Sequence, residues 1–135
     1  MKSFHLIIDS KGAKEPSDFI FYLDDKLPSD LTRVAIKSIS ILQPGHIANP
    51  DYVCYIHTDM LNKDDNYLNT QKTDILALFP VNHSYQRKYV FHKFSNTFKK
   101  LKSADINSIR LTLTDQKNKI LSGMIQHIIY EIEFN

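Results

Sequence analysis

The sequence predicts an all-β domain: a single jelly-roll β-sandwich of about eight antiparallel strands occupying residues 1–135. Three observations carry that expectation. Apolar and polar residues alternate in short runs, the period of a half-buried strand. The eight Phe and seven Tyr gather in those runs with Ile, Val and Thr, residues that suit a pleated surface. Polar turns, rather than long helical stretches, separate the runs. An immunoglobulin-like sandwich fits the spacing nearly as well. Its Cys–Trp–Cys marker is absent, because the chain has one Cys and no Trp.

The first run, Ser3 to Ser10, places Phe4, Leu6 and Ile8 on one face. A polar loop with Gly12 and Pro16 follows. Asp18 to Leu23 sets Phe19, Phe21 and Leu23 against Ile20 and Tyr22. Asp24-Asp25-Lys26 breaks it, and Pro28 bars its extension as a central strand. Thr32 to Gln43 is the cleanest strand, with Val34, Ile36, Ser38 and Ser40 on one side. Ala35, Lys37, Ile39 and Ile41 take the other. Pro44-Gly45 ends that run, and Tyr52 to Thr58 forms the next.

Asn62 to Thr70 reads as a polar loop. Asp74 to Phe79 is short and continuously apolar, so periodicity cannot separate a strand from a helical turn; a strand is favoured, ended by Pro80. Arg87 to His92 is a strand with Tyr89 and Phe91 on one face. Phe94, Phe98 and Leu101 recur at spacings of four and three, which predicts a helical turn within the loop Phe94 to Ser103. Ile106 to Thr114 opposes Ile109, Leu111 and Leu113 to Arg110, Thr112 and Thr114. Asp115 to Asn118 is a turn, and Lys119 to Leu121 restarts a strand. Gly123 marks a break. Met124 to Phe134 closes the fold with Ile128, Tyr130, Ile132 and Phe134 on one face.

At 135 residues the chain suits one domain. Its 42% hydrophobic and 24% charged residues argue against disorder. No stretch approaches the roughly 18–20 apolar residues of a membrane span, so no membrane is expected. The apolar run at Phe4 to Ile8 is too short for a signal-peptide core, and Asp9 interrupts it. The sequon Asn82-His83-Ser84 therefore carries no weight. A net charge of +2 does not by itself imply nucleic-acid binding. The lone Cys54 excludes an intrachain disulfide and reads as a small buried core residue, in keeping with a reducing compartment.

No catalytic, cofactor-binding or metal-ligating set is expected. The six histidines form no ligand pair on one helix or hairpin. His57 and Asp59 share a side if their strand continues, but no third ligand accompanies them. Asp24-Asp25 and Asp64-Asp65 lie in predicted turns, where Asp bonds its own backbone. Three glycines leave no phosphate-cradling loop, and no nucleophile elbow is present.

The stretch Arg87 to Lys102 is the most suggestive. Arg87, Lys88, Lys93, Lys99, Lys100 and Lys102 alternate with Tyr89, Phe91, Phe94 and Phe98. Aromatic and basic residues so mixed suit single-stranded nucleic acid. The helix-like spacing of Phe94, Phe98 and Leu101 favours instead a surface with aromatics inward and lysines outward.

The order of these motifs resembles the short capsid-type proteins of Polinton/Maverick elements, adintoviruses and virophages. Phe19-Ile20-Phe21-Tyr22-Leu23, then Leu27-Pro28, then Leu31 to Ile41 is similar to that family's opening. Tyr55 to Leu61 resembles its Y-I-x-S-D-L segment, and Asp74 to Pro80 its D-L-L-x-x-F-P. Ile106 to Asp115 resembles its I-x-S-I-x-I-x-I-x-D. The chain departs from the family in carrying Asn118 where Gly is frequent, and in being shorter than many pentons. The resemblance implies a single jelly roll serving as a minor capsid (penton) protein at the vertex. It also implies a homopentamer that meets the major capsid protein, located in the virion and made in the host cytoplasm or nucleus.

A shell subunit would use its loops for contacts. Tyr52, Tyr67 and Tyr85 are the expected interface anchors, large and tolerant of one wet end; the alternative is that they only cover the sandwich ends. Arg87, Lys88, Lys99, Lys100 and Lys102 are the expected contacts to packaged DNA or to an acidic neighbour. The competing function is a β-sandwich binding module for nucleic acid or carbohydrate, using the same basic face.

Overall fold

Period-two alternation forms strands here because it gives each strand one apolar face to bury. The computed structural model describes residues 3–42, 51–68, 71–82, 89–95, 97–103, 105–122 and 125–135. Among the described residues eight strands have five or more residues: β1 (Phe4–Asp9), β2 (Asp18–Tyr22), β3 (Arg33–Leu42), β4 (Asp51–Thr58), β7 (Ile75–Asn82), β8 (Tyr89–Lys93), β10 (Ser108–Thr114) and β11 (His127–Phe134). Three have two residues: β5 (Tyr67–Leu68), β6 (Gln71–Lys72) and β9 (Lys99–Lys100).

The long strands make two antiparallel layers. One runs β1-β11-β3-β8, with β9 also on β3; the other runs β2-β10-β4-β7. Taken in chain order, the eight long strands fall as 1-8-3-6 and 2-7-4-5. That is the jelly-roll order, in which the first and last strands lie side by side. Phe4 thus pairs with Phe134, and Ile8 with Tyr130.

The inner faces meet in one apolar cluster. Ile8, Ile39, Ile41, Ile128, Tyr130 and Phe134 come from the first layer. Cys54, Ile56, Phe79, Ile109, Leu111 and Leu113 come from the second. Each large side chain so buried contributes about 1.5–3 kcal/mol. Alternation placed the inward residues of β1, β10 and β11 correctly, and Cys54 is fully buried.

Four expectations are corrected. Strict alternation fails in β3, because Ile132 pairs with Ile36 while Glu131 pairs with Ser38. Lys37 is therefore an extra, bulged residue, and the bulge turns the strand by one position. Val34 and Ile36 before it, and Ile39 and Ile41 after it, all reach the core.

Pro80 does not end its strand: β7 continues to Asn82, and Pro80 pairs with Val53. This works because β7 is an edge strand, where a missing N–H need not serve a second neighbour.

The segment from Phe94 to Ser103 makes no helical turn among its described residues. Phe94 N donates to Lys37 O at 2.9 Å, β9 pairs with Arg33–Val34, and Leu101 N donates to Thr32 O at 2.9 Å. An extended path along the open side of β3 satisfies backbone groups that an isolated turn would leave to water.

Lys119 to Leu121 forms a single bridge, Thr114 to Ile120, rather than a strand. The preceding turn is as expected, with Asn118 N donating to Asp115 O at 3.1 Å. Asn118 has φ of 62°, a left-handed conformation that Asn tolerates better than most non-glycine residues. This accounts for Asn where Gly is frequent. The expected break at Gly123 lies outside the described residues.

Candidate assembly surface

Tyr67 lies in β5 and is 55% exposed. The backbone of Tyr52 lies in β4 opposite Val81; its side chain lies outside the described residues. Tyr85, Arg87 and Lys88 also lie outside them. Lys99 and Lys100 form β9, and Lys102 follows on an exposed bend. The three lysines are not equivalent. Lys99 is half-buried and its Nζ donates to the Ile75 carbonyl at 2.6 Å, tying β9 to the start of β7. Burial lowers the Lys99 pKa from 10.5. Lys100 and Lys102 face solvent.

Sequence reasoning missed a second group of exposed residues. Ile7, Ile20, Tyr22, Leu78 and Phe91 are large, apolar and exposed, with Tyr22 at 71%. All five lie on strands at the edges of the two layers: β1, β2, β7 and β8. The signal was present in β2, where Phe19-Ile20-Phe21-Tyr22 is apolar on both faces although only one face can meet the core.

On the outer face of the second layer, two open polar depressions of about 480 Å³ each adjoin His57. His57 Nδ1 lies 2.9 Å from Asp74 Oδ1, and Nε2 lies 2.8 Å from Thr114 Oγ1. Both ring nitrogens are thereby occupied, which ties β4 to β10 and to the residue before β7. Asp59 takes a different partner, accepting from the Arg110 backbone N–H at 3.0 Å. His57 and Asp59 line one depression but share no hydrogen-bond partner among the described residues. Among the described residues no group of three His, Cys, Asp or Glu could hold a metal ion.

Two layers in this order define the chain as a single jelly-roll protein. Among solved structures it is similar to the crystal structure of the mavirus penton protein. The TM-score is 0.58 at 9% sequence identity, with 100% of this chain and 99% of that chain covered. At that identity the likeness is one of fold. No protein-family profile matches the sequence, and no curated protein is similar to it in sequence.

Proposed function

We propose that this chain is a structural virion protein: a minor capsid subunit of the penton-like, vertex-forming kind that assembles with copies of itself into a ring. In this reading residues 1–135 act as one jelly-roll domain. Five copies close the ring and the major capsid protein surrounds it. The protein is made in the host cytoplasm or nucleus and ends in the virion.

The observation that carries the proposal is the end-to-end fold match with a solved penton protein. This chain is shorter than many pentons, but that match covers nearly all of the penton chain, so length does not separate the two. The exposed apolar residues on the edge strands support the same reading, because a monomer gains nothing by leaving them uncovered.

Size-exclusion chromatography with light scattering, followed by negative-stain electron microscopy, tests the proposal. The expected result is a ring of five chain masses. A protein that stays at 15.7 kDa in concentrated, near-neutral solution overturns it.

A further inference from the structure

Ring closure requires two different patches on opposite sides of each subunit, the first fitting the second on the next copy. The exposed apolar residues divide in that way. Phe79 of β7 stacks 5.7 Å from His92 of β8, so those two edges lie over one another on one flank. Phe19 of β2 lies 6.4 Å from Tyr130 of β11, the neighbour of β1, so the β1 and β2 edges share the opposite flank. Ile7, Ile20 and Tyr22 belong to the β1/β2 flank, and Leu78 and Phe91 to the β7/β8 flank.

The charges of the two flanks are opposite. Residues 3–31, which contain β1 and β2, hold six carboxylates (Asp9, Glu15, Asp18, Asp24, Asp25, Asp30) and three lysines (Lys11, Lys14, Lys26). Among the described residues from 75 to 103, which contain β7, β8 and β9, there are four lysines and no carboxylate.

The charges also fall at one level. Tyr22 pairs with Ser108, three residues beyond Leu111, which pairs with the last residue of β4. Asp24 and Asp25 follow Tyr22 and are exposed. Lys100 precedes Leu101, which bridges Leu61, also beyond the end of β4. Asp24, Asp25 and Lys100 therefore lie at the same end of the sandwich.

We infer that the acidic β1/β2 flank of one copy docks on the basic β7/β8/β9 flank of the next, with Tyr22 and Phe91 among the apolar contacts. The inference rests on the self-assembly reading above and names the surfaces that reading uses. It also gives the lysines of the basic stretch a protein partner. Opposed charges steer and orient such a contact, and the apolar residues supply most of its strength.

The test compares five proteins by light scattering and electron microscopy: wild type, Asp24→Lys with Asp25→Lys, Lys93→Glu with Lys100→Glu, all four changes in one chain, and Tyr22→Ser with Phe91→Ser. Each two-site variant is expected to raise the concentration at half-assembly by about tenfold or more. The fourfold variant again presents opposite signs and is expected to recover much of the loss. Tyr22→Ser with Phe91→Ser is expected to abolish rings while far-UV circular dichroism stays that of the wild type.

Rings in wild type and in every variant alike would overturn the docking while leaving self-assembly intact. A monomeric wild type would remove the self-assembly reading itself. Salt-sensitive retention of a single-stranded oligonucleotide that Lys93→Glu with Lys100→Glu abolishes, with rings unchanged, would assign the lysines to nucleic acid and overturn the docking.

Discussion

Asp18 and Arg110 form a two-point ion pair across β2 and β10, with Arg110 Nε and Nη2 each donating to one carboxylate oxygen at 2.9 Å. Thr112 Oγ1 adds a third hydrogen bond at 2.9 Å. The pair is diagonal, since Asp18 stands opposite Thr112 and Arg110 opposite Ile20. It fastens the edge strand β2 at a point where the sheet has no further neighbour.

The Arg110 guanidinium holds the Asp18 carboxyl below its ordinary 3.8, against a smaller upward push from burial. A depressed folded-state value means the carboxylate stabilises the fold fully above the unfolded value. The contribution is lost as pH falls through the folded value. Asp18→Asn is therefore expected to flatten the acid limb of Tm against pH below about 4, where carboxylates titrate. At neutral pH it should cost no more than about 1 kcal/mol, because Arg110 is largely exposed. An unchanged acid limb would show that the pair does not couple to folding.

Tyr130 is fully buried, and its hydroxyl has no hydrogen-bond partner among the described residues. Burial, and then the neighbouring Cys54, pushes its pKa up. A buried polar atom with no partner costs free energy. Tyr130→Phe should accordingly leave stability unchanged or raise it by up to about 1 kcal/mol in urea titration. A loss of about 2 kcal/mol would reveal a partner for the hydroxyl.

Removal of Lys37 separates the role of a residue from that of its side chain. Lys37→Ala loses the 3.1 Å ion pair to Glu133 and should cost about 1 kcal/mol or less. Deleting Lys37 removes the bulge and leaves Val34, Ile36, Ile39 and Ile41 in unbroken alternation on the core face, with the register to β11 kept. Cooperative thermal unfolding should persist in both variants; its loss in the deletion alone would show that β3 needs the bulge itself.

His57 joins Asp74 and Thr114. His57→Ala should cost about 1–2 kcal/mol in chemical denaturation, the range for losing two partly buried hydrogen bonds. Amide exchange should rise first at the end of β4 and the start of β7. A neutral substitution would return His57 to consideration as a binding residue.

Much of the secondary structure was legible because a strand with one buried face must alternate, and β1, β10 and β11 do so without interruption. The misreadings share one cause. Lys37 sits in a bulge defined by its pairing with β11, Pro80 is tolerated because β7 is an edge, and Phe94 to Leu101 is extended because β3 offers an open side. Each depends on a neighbour far away in sequence. The exposed apolar residues of β2 were visible as a run apolar on both faces, but nothing local says which face meets water.

The sequence by itself determined the β class, the burial of Cys54, the turn at Asp115 to Asn118 and the inward faces of the regular strands, since these follow from local periodicity and backbone preference. Only the tertiary structure decided which strands are edges, where the bulge falls and that Lys99 turns inward to Ile75. Those features arise when segments distant in sequence come into register, as Phe4 does with Phe134. Long-range pairing of that kind leaves no trace in local spacing.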